Sequence, residues 1–333
     1  MTAVRQGTRK LLAAACALAS IGLVAGCGGS DDGGDEALGR PAPPASDFPQ
    51  PAAGQSLVQV LSAASDEGPV VTPAARVLRR GENRFSFGVF TLGREPIDDA
   101  EVAIYAAPGA DLKGPAIGPF PARIESLQTD PEFTAESTSS DPDAAKAVYV
   151  TDIPLNQPGP WTFGALTRQS DGSYQGSLLA TPSRVGQFDP VDVGERAPRV
   201  STPVASDVTD VSQIDTRVPP SDMHDEDLAD VLGKKPVVLL FATPALCQSR
   251  ICGPVVDEAE QVKREFGDRV AFIHMEVYND NDASQGVRPQ MTAFRLPSEP
   301  WLFVIDREGE VTTAIEGAFS VSELTDAVQR VAS

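Results

Sequence analysis

The chain has 333 residues, 22% of them charged and 41% apolar, ordinary fractions for a globular protein with material for about two domains. Its formal net charge of −20 disfavours nucleic acid and anionic lipid headgroups as partners. At the start, Arg5, Arg9 and Lys10 precede an apolar run over residues 11–24 and then Ala25-Gly26-Cys27, the three-part shape of an export signal whose run is too short to be read as a membrane span.

Leu23-Val24-Ala25-Gly26-Cys27 resembles the bacterial lipobox, whose cysteine is diacylated and becomes the first residue after cleavage. The resemblance implies a lipoprotein signal peptide over residues 1–26, lipidation at Cys27, and a lipid anchor on the extracytoplasmic face of the cell membrane. Removal of Arg5, Arg9 and Lys10 makes the remaining chain still more acidic, so attachment would come from acyl chains and not from a basic patch. Residues 27–54, rich in Gly, Pro, Ala, Ser and Asp without apolar periodicity, read as a disordered tether. Of the four cysteines, Cys16 leaves with the signal and Cys27 carries lipid. Cys247 and Cys252 remain as thiols in an oxidising compartment, where two nearby cysteines are expected to be disulfide-bonded or redox-active.

Residues 55–185 read as an all-β module of short Val-, Phe-, Tyr- and Ile-rich runs separated by Gly, Pro and Asp turns. Phe85, Phe87 and Val89 alternate along one run and residues 101–105 along another. Residues 147–153 and 161–167 continue the pattern, and Asp171-Gly172 marks a tight hairpin. An immunoglobulin-like β-sandwich is the natural closed solution. Residues 108–143 interrupt it with a polar, Pro-rich excursion expected as a mobile loop. The module holds no histidine, cysteine or convergent carboxylate set, so it reads as a spacer or a partner-binding sandwich.

Residues 207–225 read as an irregular entry into a second region with a different texture. Residues 235–241 form a continuous apolar run, as in a strand buried on both faces. Val255, Ala259, Val262 and Phe266 lie on one face of a helix, and residues 270–273 begin a second strand. A hairpin turns about Asp306-Arg307-Glu308-Gly309, and Ser320-Val321-Ser322-Glu323 is the capping box of a closing helix.

Strand, helix, strand, hairpin, helix is the order of the thioredoxin fold. Phe241-Ala242-Thr243-Pro244-Ala245-Leu246-Cys247 resembles the passage from the first central strand of thioredoxins and redoxins to the reactive cysteine, and Glu299-Pro300-Trp301-Leu302-Phe303 their cis-proline segment. Gly194-Glu195-Arg196-Ala197-Pro198 resembles the entry motif of the redoxin and peroxiredoxin branch (AhpC/TSA type). The resemblance covers residues 193–333. It implies an α/β thioredoxin-like domain in which Cys247 starts the reactive helix as nucleophile, Cys252 resolves, and Thr243, Pro244, Glu299, Pro300 and Trp301 line the substrate groove. No cofactor is implied, and the partners would be protein thiols or disulfides.

Two departures qualify that expectation. Four residues separate the cysteines, a gap similar to that of Q-type peroxiredoxins; in an intact helix this turns the side chains about 140° apart, so a disulfide would require the first turn to unwind. The aspartate that thioredoxins bury beneath their cysteines is replaced by Leu240, which removes the usual proton acceptor. Two rival functions follow from the same residues. Thiol peroxidase chemistry fits the gap but places Pro244 where that family has threonine, and it needs an arginine, for which Arg288 and Arg295 are candidates. A non-enzymatic carrier or protein-binding lipoprotein is the other, since two thiolates with His224 or His274 would suit Cu(I). A static structural disulfide is the simplest alternative to all three. No four-ligand zinc pattern, phosphate loop or serine nucleophile elbow is present, and Asn279, Asp280, Asn281 and Asp282 lack the glycine and glutamate of a calcium loop.

Overall fold

Alternation in the first half produces two antiparallel sheets. The strands are β1 (Val70–Pro73), β2 (Gly81–Phe90), β3 (Glu101–Pro108), β4 (Ile117–Pro121), β5 (Arg123–Ser126), β6 (Ala147–Leu155), β7 (Gly159–Arg168), β8 (Tyr174–Leu178) and β9 (Ser183–Val185). One sheet runs β1-β2-β6-β5 and the other β4-β3-β7-β8, with β9 also on β7. Phe85, Phe87 and Val89 meet Ile104, Phe163 and Ala165 between the sheets, with Phe85 stacked on Phe163 at 4.9 Å between centroids. The computed structural model describes residues 39–62, 64, 68–179, 183–247 and 250–332. The expected signal peptide, Cys16 and the Cys27 lipidation site lie outside the described residues. Among the described residues no helix is long and apolar enough to cross a membrane.

Two expectations for this half are corrected. Residues 39–54, read as tether, pack onto the sandwich: Phe48 is buried with Leu57 and Val60 of α1 (Leu57–Leu61), and the Tyr105 and Tyr174 hydroxyls donate to the Pro49 and Asp47 carbonyls. The cause is in β3, whose run Val102-Ala103-Ile104-Tyr105-Ala106-Ala107 is apolar on both faces. Its outer face must be covered, and this segment covers it. The excursion over residues 108–143 is likewise not a bare loop. It supplies β4, β5 and α2 (Glu136–Ser139), and its backbone is tied to the second half by Asp130 N–H to Gln261 Oε1 and Ala135 N–H to Asp257 Oδ2.

The second half forms a sheet of β10 (Val237–Phe241), β11 (Ala271–Met275), β12 (Trp301–Ile305) and β13 (Val311–Glu316) in the order β11-β10-β12-β13. β10 is parallel to β11 and antiparallel to β12, and β12 is antiparallel to β13. On one face Val238, Leu240, Leu302 and Val304 meet α4 (Cys252–Phe266) and α6 (Val321–Gln329). On the other, Val237, Leu239, Phe241 and Phe303 meet α3 (Leu228–Val231) and α5 (Pro289–Ala293). Every residue of β10 is buried, as its unbroken apolar run requires. A βαβ unit followed by a β-hairpin and a helix, in this strand order, is the thioredoxin fold.

Sandwich and thioredoxin fold belong to one compact unit, Ala37–Ser333. Leu127, Val148 and Val150 of the sandwich sit in the same core cluster as α4 and α6. Around that core, Arg84 and Arg123 each pair with Glu323 at 2.8 Å, and Ser320 Oγ donates to Glu125 at 2.6 Å. The segment over residues 207–225, irregular as expected, nevertheless buries Asp215, Arg217 and His224.

Candidate functional site

The site lies where β10 ends. Ala242 and Thr243 are fully buried, Pro244-Ala245-Leu246 turn, and Cys247 emerges at 9% exposure; Cys252 is fully buried. Both cysteines are thiols. Contrary to expectation, the helix starts at Cys252 and not at Cys247. Pro254 explains this. It sits in the first turn of α4, where its missing N–H costs nothing, whereas a helix begun at Cys247 would place it in the interior against the Arg250 carbonyl. Arg250, at φ 61°, breaks the chain immediately before the helix.

With the two cysteines on loop and helix start, the expected 140° separation does not arise. Their sulfurs and a carboxylate oxygen of Glu299 all lie within 4.8 Å of one another. The sulfurs therefore face each other in the dithiol state, and no helical turn has to unwind for them to meet.

Glu299 was expected only as a groove residue. It precedes Pro300, and the Glu299–Pro300 peptide is cis. Its carboxyl is half-buried and raised to about 7, first by burial and then by Cys247 and Glu276 nearby. Its Oε2 has no hydrogen-bond partner among the described residues. Burial pushes the Cys252 thiol well up, reinforced by Cys247 and Glu299, while the Thr243 backbone hydrogen-bonds to it. A buried thiol beside a carboxyl with one unpartnered oxygen and a near-neutral pKa is a donor and acceptor pair for one proton.

Other positioning groups had no sequence signal. Glu276 Oε1 accepts from the Thr216 N–H and hydroxyl at 2.8 and 2.7 Å, and Thr216 Oγ1 accepts from Ala245 N–H at 3.0 Å. This chain of bonds fixes the turn that carries Cys247. The Tyr278 hydroxyl is raised, first by burial and then by the charges of Glu299, Cys252 and Cys247. The partner residues come from three separate segments, so no local spacing links them.

Of the expected groove residues, Glu299 and the cis Pro300 adjoin the cysteines, and Pro244 is half-buried in the turn. Thr243 is fully buried. Trp301 is 2% exposed, stacked with Phe303 in the core on the α3 and α5 side, so it lines no open groove. The arginines wanted for peroxide binding are engaged elsewhere. Arg288 donates to the Tyr278 carbonyl and Asn281, and Arg295 to the Asp189 carbonyl and Glu195. His224 and His274 both turn onto Asp215, so the third group at the two sulfurs is Glu299 and not an imidazole.

The sandwich excursion closes over the start of α4. Arg250 pairs with Asp141 at 2.8 Å, and Ala145 N–H donates to the Arg250 carbonyl. A Cβ on Gly253 would come within 2.8 Å of Thr138 Oγ1. Gly253→Ala is expected to destabilise the fold by about 1–3 kcal/mol through overpacking at this contact, read as a lower midpoint in chemical denaturation; an unchanged midpoint would show that α2 yields there.

No family model and no curated protein matches the chain. Among solved structures, a thiol:disulfide interchange protein of the thioredoxin family from Chlorobium tepidum TLS is 18% identical, covering 44% of this chain and 100% of that one at a TM-score of 0.29. A DsbF homologue from Corynebacterium diphtheriae is 17% identical, covering 44% and 94% at a TM-score of 0.31. On its own strand order and helix placement, the C-terminal part of this chain is a thioredoxin-like domain.

Proposed function

We propose that the chain is a lipid-anchored, extracytoplasmic thiol-disulfide oxidoreductase that works through Cys247 and Cys252 on protein thiols or disulfides. The observation that carries this reading is the meeting of both sulfurs with the Glu299 carboxylate beside a cis proline, at the end of the central strand. The immunoglobulin-like sandwich would set distance from the membrane or select a partner.

Written for reduction, the Cys247 thiolate attacks one sulfur of a substrate disulfide and expels the other as a thiolate, which takes up a proton. Cys252 then loses its proton to Glu299 and attacks Cys247 Sγ, releasing the second substrate thiolate. Two electrons pass to the substrate, and the protein is left with a Cys247–Cys252 disulfide. The reverse sequence oxidises a substrate dithiol. Cys247 is the attacking sulfur because it is the one with exposed surface.

Trapping tests the assignment. Cys252→Ser is expected to accumulate a mixed disulfide between Cys247 and a disulfide-containing protein such as insulin, seen as a mass adduct that dithiothreitol removes. Failure to form the adduct, with the variant folded, would count against the reading.

A further inference from the structure

We propose that Asp215, His224 and His274 form a binding site for one divalent metal ion, zinc by its donor set, separate from the cysteine pair. Their ligating atoms, Asp215 Oδ2, His224 Nε2 and His274 Nδ1, lie within 4.8 Å of one another in the buried interior. Ser221 Oγ joins them as a fourth atom. His224 Nε2 and His274 Nδ1 stand 2.9 and 3.2 Å from Asp215 Oδ2, and Ser221 Oγ is 2.7 Å from that oxygen and 3.4 Å from each imidazole nitrogen. Ligands at about 2.0–2.1 Å from a tetrahedral zinc ion are about 3.3 Å apart, so these separations approximate the edges of such a coordination shell.

Hydrogen-bond accounting points the same way. Without a cation, Asp215 Oδ2 faces four donors at once, namely Ser221 N–H and Oγ–H and one nitrogen from each imidazole. A carboxylate oxygen has two lone pairs. His274 spends its second nitrogen, Nε2, on the Ala242 carbonyl, so Nδ1 could donate to the carboxylate only as imidazolium. Among the described residues no lysine or arginine side chain is paired with Asp215, and its ion-pair partners are the two histidines. One divalent ion replaces the crowded donors, neutralises the carboxylate and leaves both rings neutral. The Nε2–H to carbonyl bond of His274 is then the outer support that metal-bound histidines ordinarily have.

The site would join distant parts of the chain. Asp215 and His224 belong to the loop before α3, and His274 lies on β11. That loop also carries Thr216, which holds the Ala245 turn, so the ion would brace the segment that presents Cys247.

Cobalt and zinc binding to residues 37–333, the compact unit that holds no cysteine besides Cys247 and Cys252, tests the site. Cys247 and Cys252 are both replaced by serine so that thiolates take no part, and the protein is refolded with Co2+ or Zn2+. One Co2+ per chain is expected, with visible d–d absorption that Zn2+ abolishes, and His224→Gln should weaken binding at least tenfold. If His224→Gln does not fold, zinc-edge X-ray absorption of the double-serine chain decides, two imidazoles with oxygen donors supporting the site and any other donor set overturning it. A double-serine chain that folds without retaining either metal at micromolar concentration, or binding that a folded His224→Gln variant leaves unchanged, would overturn the proposal.

Discussion

Glu299→Gln is expected to slow thiol-disulfide exchange about 100-fold near pH 8, the lower end of what a positioned general base contributes. The amide keeps the shape of the carboxyl but cannot take the Cys252 proton. With its folded value at about 7, Glu299 is protonated and unable to accept below that pH and is competent above it. The wild-type rate should therefore carry an inflection near pH 7 that Glu299→Gln lacks. Stability should move in the opposite direction. The folded value is raised above the unfolded one of about 4.3, so the stability this carboxyl contributes is fully present below pH 4 and is lost as pH rises through 7. Glu299→Gln should accordingly melt above wild type at pH 8, with the gap closing toward pH 4. A variant with unchanged rate and pH profile would leave Cys252 in need of another proton acceptor.

Arg217→Ala is expected to destabilise the fold by about 3–5 kcal/mol, the cost of leaving one partner of a buried pair uncompensated. Arg217 Nε meets Asp257 Oδ1 at 2.8 Å with both side chains buried, and its other nitrogens donate to the Phe133 and Pro219 carbonyls. One guanidinium thus joins the irregular loop, α4 and the sandwich excursion. The melting temperature should fall on the order of 10 °C. Burial already raises the Asp257 carboxyl against the pull of Arg217, so without the arginine the loss should grow as pH rises and Asp257 is forced to ionise. Arg217→Met combined with Asp257→Leu should recover much of the stability, because it removes both buried charges at once. Denaturant melts of the single and double variants check this, and a single variant within 1 kcal/mol of wild type would mean that the pair does not hold these elements together.

The site was legible where chemistry and local pattern coincide. The apolar run of β10, the following cysteine and the Glu-Pro before β12 marked the end of a central strand and the segment opposite it, and the structure puts them together. The helix start was also legible, since Pro254 suits the first turn of a helix and not its interior. Covered faces were partly legible too. The alternation expected over residues 101–105 does not hold, since Ala103, Tyr105 and Ala107 make the second face of β3 apolar too, and that calls for a covering segment such as residues 39–61. The rest has no local signature. In the proposed function Glu299 would be the proton acceptor where Leu240 stands in the strand, and a carboxylate reaching in from another segment leaves no trace in spacing. Asp215, Arg217 and His224 lie in a stretch whose composition resembles solvent-exposed loop.

By itself the sequence determined the strand and helix order of the thioredoxin fold, the β character of the first half and the identity of the sulfur pair, because periodicity and residue type are local properties. Only the tertiary structure decided which carboxylate lies beside the sulfurs, that the histidines join Asp215 and not the cysteines, and that the sandwich excursion packs over the start of α4. Those are contacts between segments up to a hundred residues or more apart, selected by which buried polar groups find partners once the layers pack.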